Sequence, residues 1–356
     1  MGIDVSKATL EVALLERTSL RTSLQETRLQ KTHRDASLAL NPASSPASGS
    51  ASSQALCWQT HVANTPSGMA TLLDECAARG IPPEQVHVCL EASGGYERDC
   101  ATRLHEAGCR VSVVNPRRTA AYAKSCMLRA KTDAVDARLL ARFAAREVPD
   151  LWEPTEASAH NLKQMQRGRK ALVTKRTDLR NRRKRETHPS VRRAFDKVLE
   201  ELDQQIEDLQ EAIDRHIEQH EHLAEQRRLL MTIPGIGTQT AAGVLAELGD
   251  WQRFESARQV AAYAGLTPTH HTSGTSVRRR SRLSKMGNKH LRTAMYMPAL
   301  AALRSNAAIK ALAERLRSRG KAKMVVVGAA MRKLLHICYG VLKSGSPFNA
   351  ALHPGT

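Results

Sequence analysis

The stretch Lys131-Thr-Asp-Ala-Val-Asp-Ala-Arg-Leu-Leu-Ala-Arg-Phe143 predicts a helix that begins with two acids. Thr132 is a good N-cap, and apolar residues recur at helical spacing through the rest of the stretch. Asp133 and Asp136 are three positions apart, so they share one face of the first turn. Taken alone, the pair is most simply a solvated turn facing the positive helix end. With further acids nearby it would bind a divalent cation, since hard cations take carboxylate oxygens as ligands.

Two further acids lie on predicted strands upstream. Residues 3–5 and 10–14 alternate as two short strands joined by a tight turn, which places Asp4 inside the first strand. An acid there is unfavourable unless it is neutralised, and the alternative is an edge strand with Asp4 facing water. Glu91 lies near the end of a strand predicted over 86–91, before Gly94 and Gly95. Strand ends beside glycine turns often build sites, although a glycine pair is more often only a turn.

The order of predicted elements indicates an α/β domain of the RNase H-like (RuvC-like) type over residues 1–150. This order would bring Asp4, Glu91, Asp133 and Asp136 together from three distant segments. Residues 18–56 are rich in Ser, Ala and Pro and are expected to form a mobile insertion, because they cannot bury enough apolar surface to fold.

The composition favours a nucleic-acid partner. Lys and Arg number 54 against 35 Asp and Glu, which gives a net charge of +19. Aromatic residues make up only 3%, so binding should depend on phosphate contacts more than on base stacking. No apolar run approaches the ~18–20 residues of a membrane span, and no signal peptide is evident. Seven scattered cysteines without a CxxC pair indicate reduced thiols in a cytosolic protein without a zinc framework.

A long-helical region is predicted over 151–228. Its basic helix includes Arg180, Arg182 and Arg183, which we interpret as a phosphate-binding surface, although a solvated face would have the same pattern. From Leu199 to Leu223 apolar residues alternate three and four apart, which predicts a coiled-coil seam that pairs subunits. His216 and His220 have metal-ligand spacing, but polar seam residues that set the register are the favoured interpretation.

The remaining segment, 229–356, is predicted to be mostly α-helical. Ile233-Pro-Gly-Ile-Gly237 lies between apolar helices and predicts a helix-hairpin-helix. Gly235 and Gly237 permit the tight turn, and the N–H groups of the helix that begins at Thr238 would hold a DNA phosphate. A plain helix turn is the alternative.

Residues 264–292 combine a flexible hydroxyl-rich loop with a basic run. Any of Thr272, Ser273, Thr275 and Ser276 could act as a nucleophile, and the residues alone favour none of them. The predicted phosphate contacts that follow are Arg278, Arg279, Arg280, Arg282, Lys285, Lys289 and Arg292.

Six motifs together resemble one family. They are Gly2-Ile-Asp-Val-Ser-Lys7, Leu90-Glu-Ala-Ser-Gly94, Lys131-Thr-Asp-Ala-Val-Asp-Ala-Arg138, Ile233-Pro-Gly-Ile-Gly237, Ala264-Gly-Leu-Thr-Pro268 and Ser273-Gly-Thr-Ser-Val-Arg278. In this order, over nearly the whole chain, they resemble insertion-sequence transposases with an N-terminal RuvC-like DEDD domain and a C-terminal serine domain, the bridge-RNA-guided recombinases. Two departures are the few residues missing before Gly-Ile-Asp, which put the start codon in question, and the long Ser/Ala/Pro segment.

The resemblance implies a site and its partners. Asp4, Glu91, Asp133 and Asp136 would form an acidic tetrad that holds Mg²⁺ or Mn²⁺, and Ser273 would form a 5′-phosphoserine link to DNA. The partners would be double-stranded donor and target DNA, a structured non-coding guide RNA and further copies of the chain. The assembly would be a dimer, with a tetramer in the synaptic complex, associated with the nucleoid in the bacterial cytoplasm.

Two other functions are compatible with parts of the sequence. One is a RuvC-like metal-dependent junction nuclease with a helix-hairpin-helix DNA clamp, which would not need the hydroxyl-and-arginine segment. The other is a basic RNA-binding scaffold, for which four converging acids would be a liability unless a cation lies between them.

Overall fold

A computed structural model describes residues 1–15, 56–128, 132–273 and 277–350, without the side chains of 56–57, 270–273 and 277–281. The predicted insertion at 18–56 lies outside the described residues except for Leu56, which begins a strand. The chain forms two compact units, Met1–Pro154 and Thr155–Thr356. The helices predicted as a separate region therefore belong to the second unit.

Unit 1 is built on a five-stranded mixed sheet. Its strands are β1 (Gly2–Val5), β2 (Thr9–Leu15), β3 (Leu56–Ala63), β4 (His87–Glu91) and β5 (Arg110–Val114). The spatial order is β3-β2-β1-β4-β5, in which β1, β2 and β3 are antiparallel and β1, β4 and β5 are parallel. This arrangement fits the predicted RuvC-like fold. Because β1 is the central strand, the edge-strand alternative for Asp4 is wrong.

Within the described part of unit 1, four helices accompany the sheet. They are α1 (Pro66–Ala77), α2 (Glu97–Glu106), α3 (Pro116–Ser125) and α4 (Asp133–Glu147). α4 is the helix predicted from the opening stretch, and Thr132 caps it by accepting a hydrogen bond from Val135 N at 3.3 Å. The local pattern of capping residue and apolar spacing was therefore sufficient to locate this helix.

α4 rests directly on the central strand because residue 2 is glycine. A Cβ atom at Gly2 would lie 2.2 Å from the carbonyl oxygen of Ala137 and 2.2 Å from the nitrogen of Ala141, both in the α4 backbone. No side chain fits at that distance. The small buried residues Ala13, Ala137 and Ala141 continue this close contact. The opposite face of the sheet carries the larger apolar core, which includes Ile3 and Leu90.

Unit 2 is mostly helical, as predicted. Its helices are α5 (Ala157–Arg183), α6 (Pro189–Glu218), α7 (Glu221–Met231), α8 (Thr238–Leu248), α9 (Ala257–Tyr263), α10 (Lys289–Ala294), α11 (Tyr296–Ser305), α12 (Ala307–Ser318) and α13 (Lys323–Ser344). The flexible loop expected around Ser273 is instead a β-hairpin of β6 (Pro268–Ser273) and β7 (Val277–Leu283). The two strands pair in antiparallel register from Pro268 opposite Leu283 to Ser273 opposite Val277.

The apolar seam predicted to pair subunits lies inside the chain. α6 packs along α5, and Leu199, Ile206 and Ile213 are at most 8% exposed. The seam is not one continuous helix, because α6 ends at Glu218 and Leu223 lies in α7. A helix pair within one chain shows the same heptad spacing as a pair between chains, so the sequence pattern could not distinguish them.

α13 forms the centre of unit 2. By length and composition it is the one helix among the described residues that could cross a membrane. The sequence did not predict such a helix, because its apolar residues are not one continuous run. Its most apolar 18-residue window is 67% buried within the protein, and Leu334, Leu335 and Cys338 are fully buried. These contacts are those of a core helix.

Candidate active site

Strand pairing places two of the predicted acids side by side. β1 and β4 are parallel, with Gly2 opposite Cys89 and Ile3 opposite Leu90. Asp4 and Glu91 come next along their strands, at the carboxyl ends where open sheets build their sites. Side chains alternate along a strand, so both acids point to the face that α4 covers.

α4 brings the other two acids to this edge. Asp133 and Asp136 lie in its first turn, and the turn is tied to β3 through Gln59. The Gln59 amide oxygen accepts from Arg138 Nη2 at 2.7 Å and Nε at 3.0 Å, while its Nε2 donates to the carbonyl oxygen of Ala134 at 3.4 Å. Together with the contact at Gly2, these bonds set where the helix begins relative to the sheet.

The four acids interact electrostatically. The pKa of Asp4 is raised to about 6, first by burial and then by the neighbouring carboxylates of Asp133, Asp136 and Glu91 in that order. The structure therefore brings together the four residues named from the sequence. On Glu91, Oε2 accepts a 2.5 Å hydrogen bond from the hydroxyl of Thr119 in α3.

The site fits a divalent cation in charge and in donor type. Four carboxylates that repel one another would be stabilised by a hard cation, which prefers oxygen ligands. Across the described ranges, however, no three Asp, Glu, His or Cys side chains are close enough to hold one ion together. The structure thus places the four carboxylates near one another without closing three of them around a single point.

A glutamate and a histidine that the sequence did not single out continue the row of polar residues. Glu11 lies opposite Asp4 on β2, and His61 lies opposite Glu11 on β3. Nδ1 of His61 is 2.5 Å from Oε1 of Glu11. The alternation of polar and apolar residues in β2 was the available signal for Glu11, whereas His61 could be placed only by the strand register.

Ser273 is the last residue of β6 and is paired with Val277. Its side chain and those of Arg278, Arg279 and Arg280 lie outside the described part of the chain, as do residues 274–276 with the alternative hydroxyls Thr275 and Ser276. The serine belongs to unit 2 and the acids to unit 1. Its predicted role is therefore untested by the geometry.

The predicted DNA-contacting residues from Arg282 to Arg292 differ in their surroundings. Arg282, Lys285 and Lys289 are exposed. Arg292 instead donates from Nη1 to the carbonyl oxygen of Ala264 at 2.9 Å, so it also holds the polypeptide before the hairpin.

The basic helix is partly neutralised within the chain. Arg180 pairs with Asp203 at 2.8 Å, and Arg183 pairs with Asp196 through two bonds of 2.8 and 2.9 Å. Arg182 is exposed. The predicted phosphate-binding surface is thus narrower than the count of arginines suggested, because α6 supplies acids opposite α5.

The two glycines in the turn between α7 and α8 have different roles. Gly235 has a φ of +101°, and a Cβ there would lie 2.8 Å from Cβ of Ala302, so it is required for packing against α11. Gly237 and Thr238 are exposed at the start of α8, which no side chain caps. The open N–H groups predicted to hold a phosphate lie there, and the helix-hairpin-helix assignment stays a prediction.

Comparison with known proteins identifies the family. Residues 44–186 match a family model of the IS110 DEDD transposase domain, described as a transposase, which includes Glu91, Asp133 and Asp136. Residues 227–314 match a model described as the transposase IS116/IS110/IS902 family.

Relatives that match over most of their length agree with the domain matches. The pilin gene-inverting proteins of Moraxella bovis and Moraxella lacunata are 37% identical over 276 residues, which cover 75% of this chain and 83% of each relative. A probable family 20 transposase of Pseudomonas aeruginosa is 29% identical over 255 residues, 64% of this chain and 73% of that protein. The protein is therefore an enzyme that cuts and rejoins DNA, and it belongs to the IS116/IS110/IS902 family of transposases.

Proposed function

We propose that the protein moves or inverts DNA segments by site-specific recombination, using the acids of unit 1 and the Ser273 hydroxyl of unit 2. The proposal is supported by the placement of Asp4 and Glu91 at neighbouring strand ends and of Asp133 and Asp136 in the first turn of α4, with the last three acids each contributing to the raised pKa of Asp4. Inversion is included because two relatives bear the name pilin gene-inverting protein.

The four acids are proposed to hold Mg²⁺ or Mn²⁺. Such a cation supplies Lewis-acid polarisation of a phosphate oxygen. Glu91 offers Oε1 while Thr119 holds its Oε2. Asp133 and Asp136 present their carboxylates from the start of α4, where the helix dipole favours negative charge.

Ser273 is proposed as the nucleophile. Its Oγ attacks the phosphorus, the Oγ–P bond forms, and the P–O3′ bond breaks to release a 3′ hydroxyl and leave a 5′-phosphoserine. A serine hydroxyl needs a base, and a carboxylate of the acid site is the proposed acceptor of its proton. Support comes from the position of Ser273 at the end of β6, opposite a strand that carries four arginines, which can neutralise charge on the phosphate.

The partners are proposed from charge and resemblance. DNA follows from the transposase family, and a structured guide RNA encoded beside the gene is proposed in addition. A net charge of +19 supports more than one polyanion. A dimer, assembling to a tetramer on DNA in the cytoplasm, would bring serine and acids to each phosphate.

Three variants expressed with the native flanking DNA test the proposal. Asp133→Ala with Asp136→Ala should abolish cleavage while leaving the thermal midpoint in EDTA unchanged or higher, since a repulsion is removed. Ser273→Ala should bind DNA and RNA normally but give no covalent protein–DNA adduct, whereas Ser276→Ala, the matched control, should give it. RNA that co-purifies with the protein should be one discrete species encoded in the flanks.

Other results would contradict parts of the proposal. A clearly lower midpoint for the double variant would indicate a structural role for the acids. An adduct on Thr275 or Ser276, or recombination by Ser273→Ala, would remove Ser273 from its role. Metal-dependent cleavage of branched DNA without any adduct would favour a junction nuclease.

A further inference from the structure

A buried hydroxyl holds one oxygen of Glu91. The Thr119 side chain is 3% exposed, and its Oγ1 donates to Glu91 Oε2 at 2.5 Å. A hydroxyl-to-carboxylate bond of this length belongs to the strong, charge-assisted class. The same Oγ1 lies 2.9 Å from the carbonyl oxygen of Pro116. Because a hydroxyl has one proton, the closer and charged oxygen of Glu91 is its preferred acceptor.

The position of Thr119 is determined by the start of α3. Asn115 caps this helix by accepting from Arg117 N at 2.9 Å, and Pro116 occupies the first helical position, where its missing N–H leaves no bond unmade. β5 ends immediately before this cap, with Val114 opposite Glu91. The strand register and the cap together place Thr119, one turn into the helix, beside the end of β4.

The hydrogen bond restricts how Glu91 can rotate. With Oε2 held by Thr119, Oε1 is the carboxylate oxygen left to bind a ligand. Hydrogen bonds of this kind orient metal-binding carboxylates, and their loss typically weakens metal binding or activity by roughly 10–100-fold. This orientation matters because the neighbouring acids repel one another unless a cation lies between them. If the Glu91 carboxylate turned away, the cation would lose one ligand and would offset this repulsion less well.

We propose that Thr119 is a positioning residue of the acid site, which orients Glu91 to bind a divalent cation. The inference rests on the proposed function, in which Glu91 is a ligand. The two residues are 28 positions apart in the chain, on a strand and a helix that are separated by β5, so no sequence motif connects them.

The test uses full-length Thr119→Val, which keeps the shape of threonine and removes the donor. Binding of Mn²⁺ alone, followed by its electron paramagnetic resonance signal, should weaken roughly 10-fold in this variant. DNA cleavage should then require correspondingly more Mn²⁺ and approach the wild-type rate at saturation. Thr119→Ser, which restores the hydroxyl, should recover wild-type Mn²⁺ affinity. The matched control is Thr71→Val in α1, whose Oγ1 donates only to a backbone oxygen among the bonds described, Ser67 O at 3.0 Å.

Two results would overturn the inference. One is wild-type Mn²⁺ affinity in Thr119→Val. The other is equal weakening in Thr119→Val and Thr119→Ser with a lowered thermal midpoint, which would show that Thr119 acts through packing. Failure of the proposed cation site itself would look different, because Glu91→Gln and Asp4→Asn would then bind Mn²⁺ as the wild type does.

Discussion

At the scale of single residues, Asp4 has a carboxylate whose charged form is destabilised by the fold. Its pKa is raised from 3.8 to about 6, first by burial and then by Asp133, Asp136 and Glu91. The folded state therefore holds a proton on Asp4 more tightly than the unfolded chain does. The protonated Asp4 carboxyl therefore stabilises the folded state fully below pH 4, and this stabilisation is lost as the pH rises through 6.

We predict that the Asp4 carboxyl stabilises unit 1 more near pH 5 than near pH 7.5 in metal-free buffer, as measured by the difference between the wild type and Asp4→Asn. The comparison with the variant is needed because the amino group of Met1, whose pKa is lowered to about 6 mainly by burial, changes the stability of the same unit in the opposite direction. Allowing for solvent screening of a half-exposed group, the effect should be about 1 kcal/mol, or roughly 2–4 °C in thermal midpoint. Asp4→Asn should remove this dependence and raise the midpoint at pH 7.5. A midpoint for Asp4→Asn that changes with pH as the wild type does would contradict the prediction. His336 in unit 2, with a pKa lowered to about 4 mainly by burial, should produce the opposite trend.

At the scale of elements, a buried carboxylate joins α5, α8 and the start of α10. Glu247 is 5% exposed and accepts two bonds from Arg167, at 2.9 and 3.0 Å. It also accepts from Asn288 Nδ2 at 2.8 Å, and Asn288 in turn caps α10. Burial alone would raise the pKa of Glu247, but the bonds from Arg167 and Asn288 outweigh it and hold the pKa low.

Breaking this network should destabilise unit 2. In Glu247→Ala, Arg167 and Asn288 lose their shared partner, and we expect a loss of roughly 2–3 kcal/mol, since Arg167 is partly solvated. The thermal midpoint should fall by about 5–10 °C. The control is Asp203→Ala, an acid that pairs with arginines at the surface, for which less than about 1 kcal/mol is expected. Equal effects of the two variants would show that burial of Glu247 contributes nothing.

At the scale of the whole molecule, the distribution of charge matters more than its total. The chain carries a net charge of +19, yet Arg176, Arg180 and Arg183 are paired with acids of α6. Such pairs contribute little to attraction of a polyanion. Exposed residues such as Arg182 are better placed to displace counterions from DNA.

Salt dependence of DNA binding distinguishes these groups. Arg182→Ala should weaken binding to any DNA sequence and reduce the slope of log K against log salt by about 0.9, the value of one phosphate contact. Arg183→Ala combined with Asp196→Ala removes a neutral pair and should leave the slope unchanged. A slope unaffected by Arg182→Ala would exclude this face of α5 from the contact.

The hairpin and the apolar seam are two features whose tertiary contacts could not be predicted from local sequence patterns. The hydroxyl-rich stretch around Ser273 was expected to form a loop, because hydroxyl residues and a glycine dominated the pattern and the pairing of β6 with β7 is not visible locally. The seam residues were identified correctly as apolar and helical. The helix against which they pack was not identified, because the same heptad pattern is expected for packing against a second chain and against a second helix of the same chain.

The sequence alone determined the start of α4 at Thr132, the acids of its first turn and the strand that carries Asp4, because caps and periodicities are encoded within a few residues. Only the tertiary structure decided how α4 meets the sheet, through the Cβ-free surface of Gly2. It also decided that Thr119 holds Glu91 and that α6 neutralises part of α5. These contacts join residues distant in the chain, and the free energy of such a pair depends on geometry that no local pattern contains.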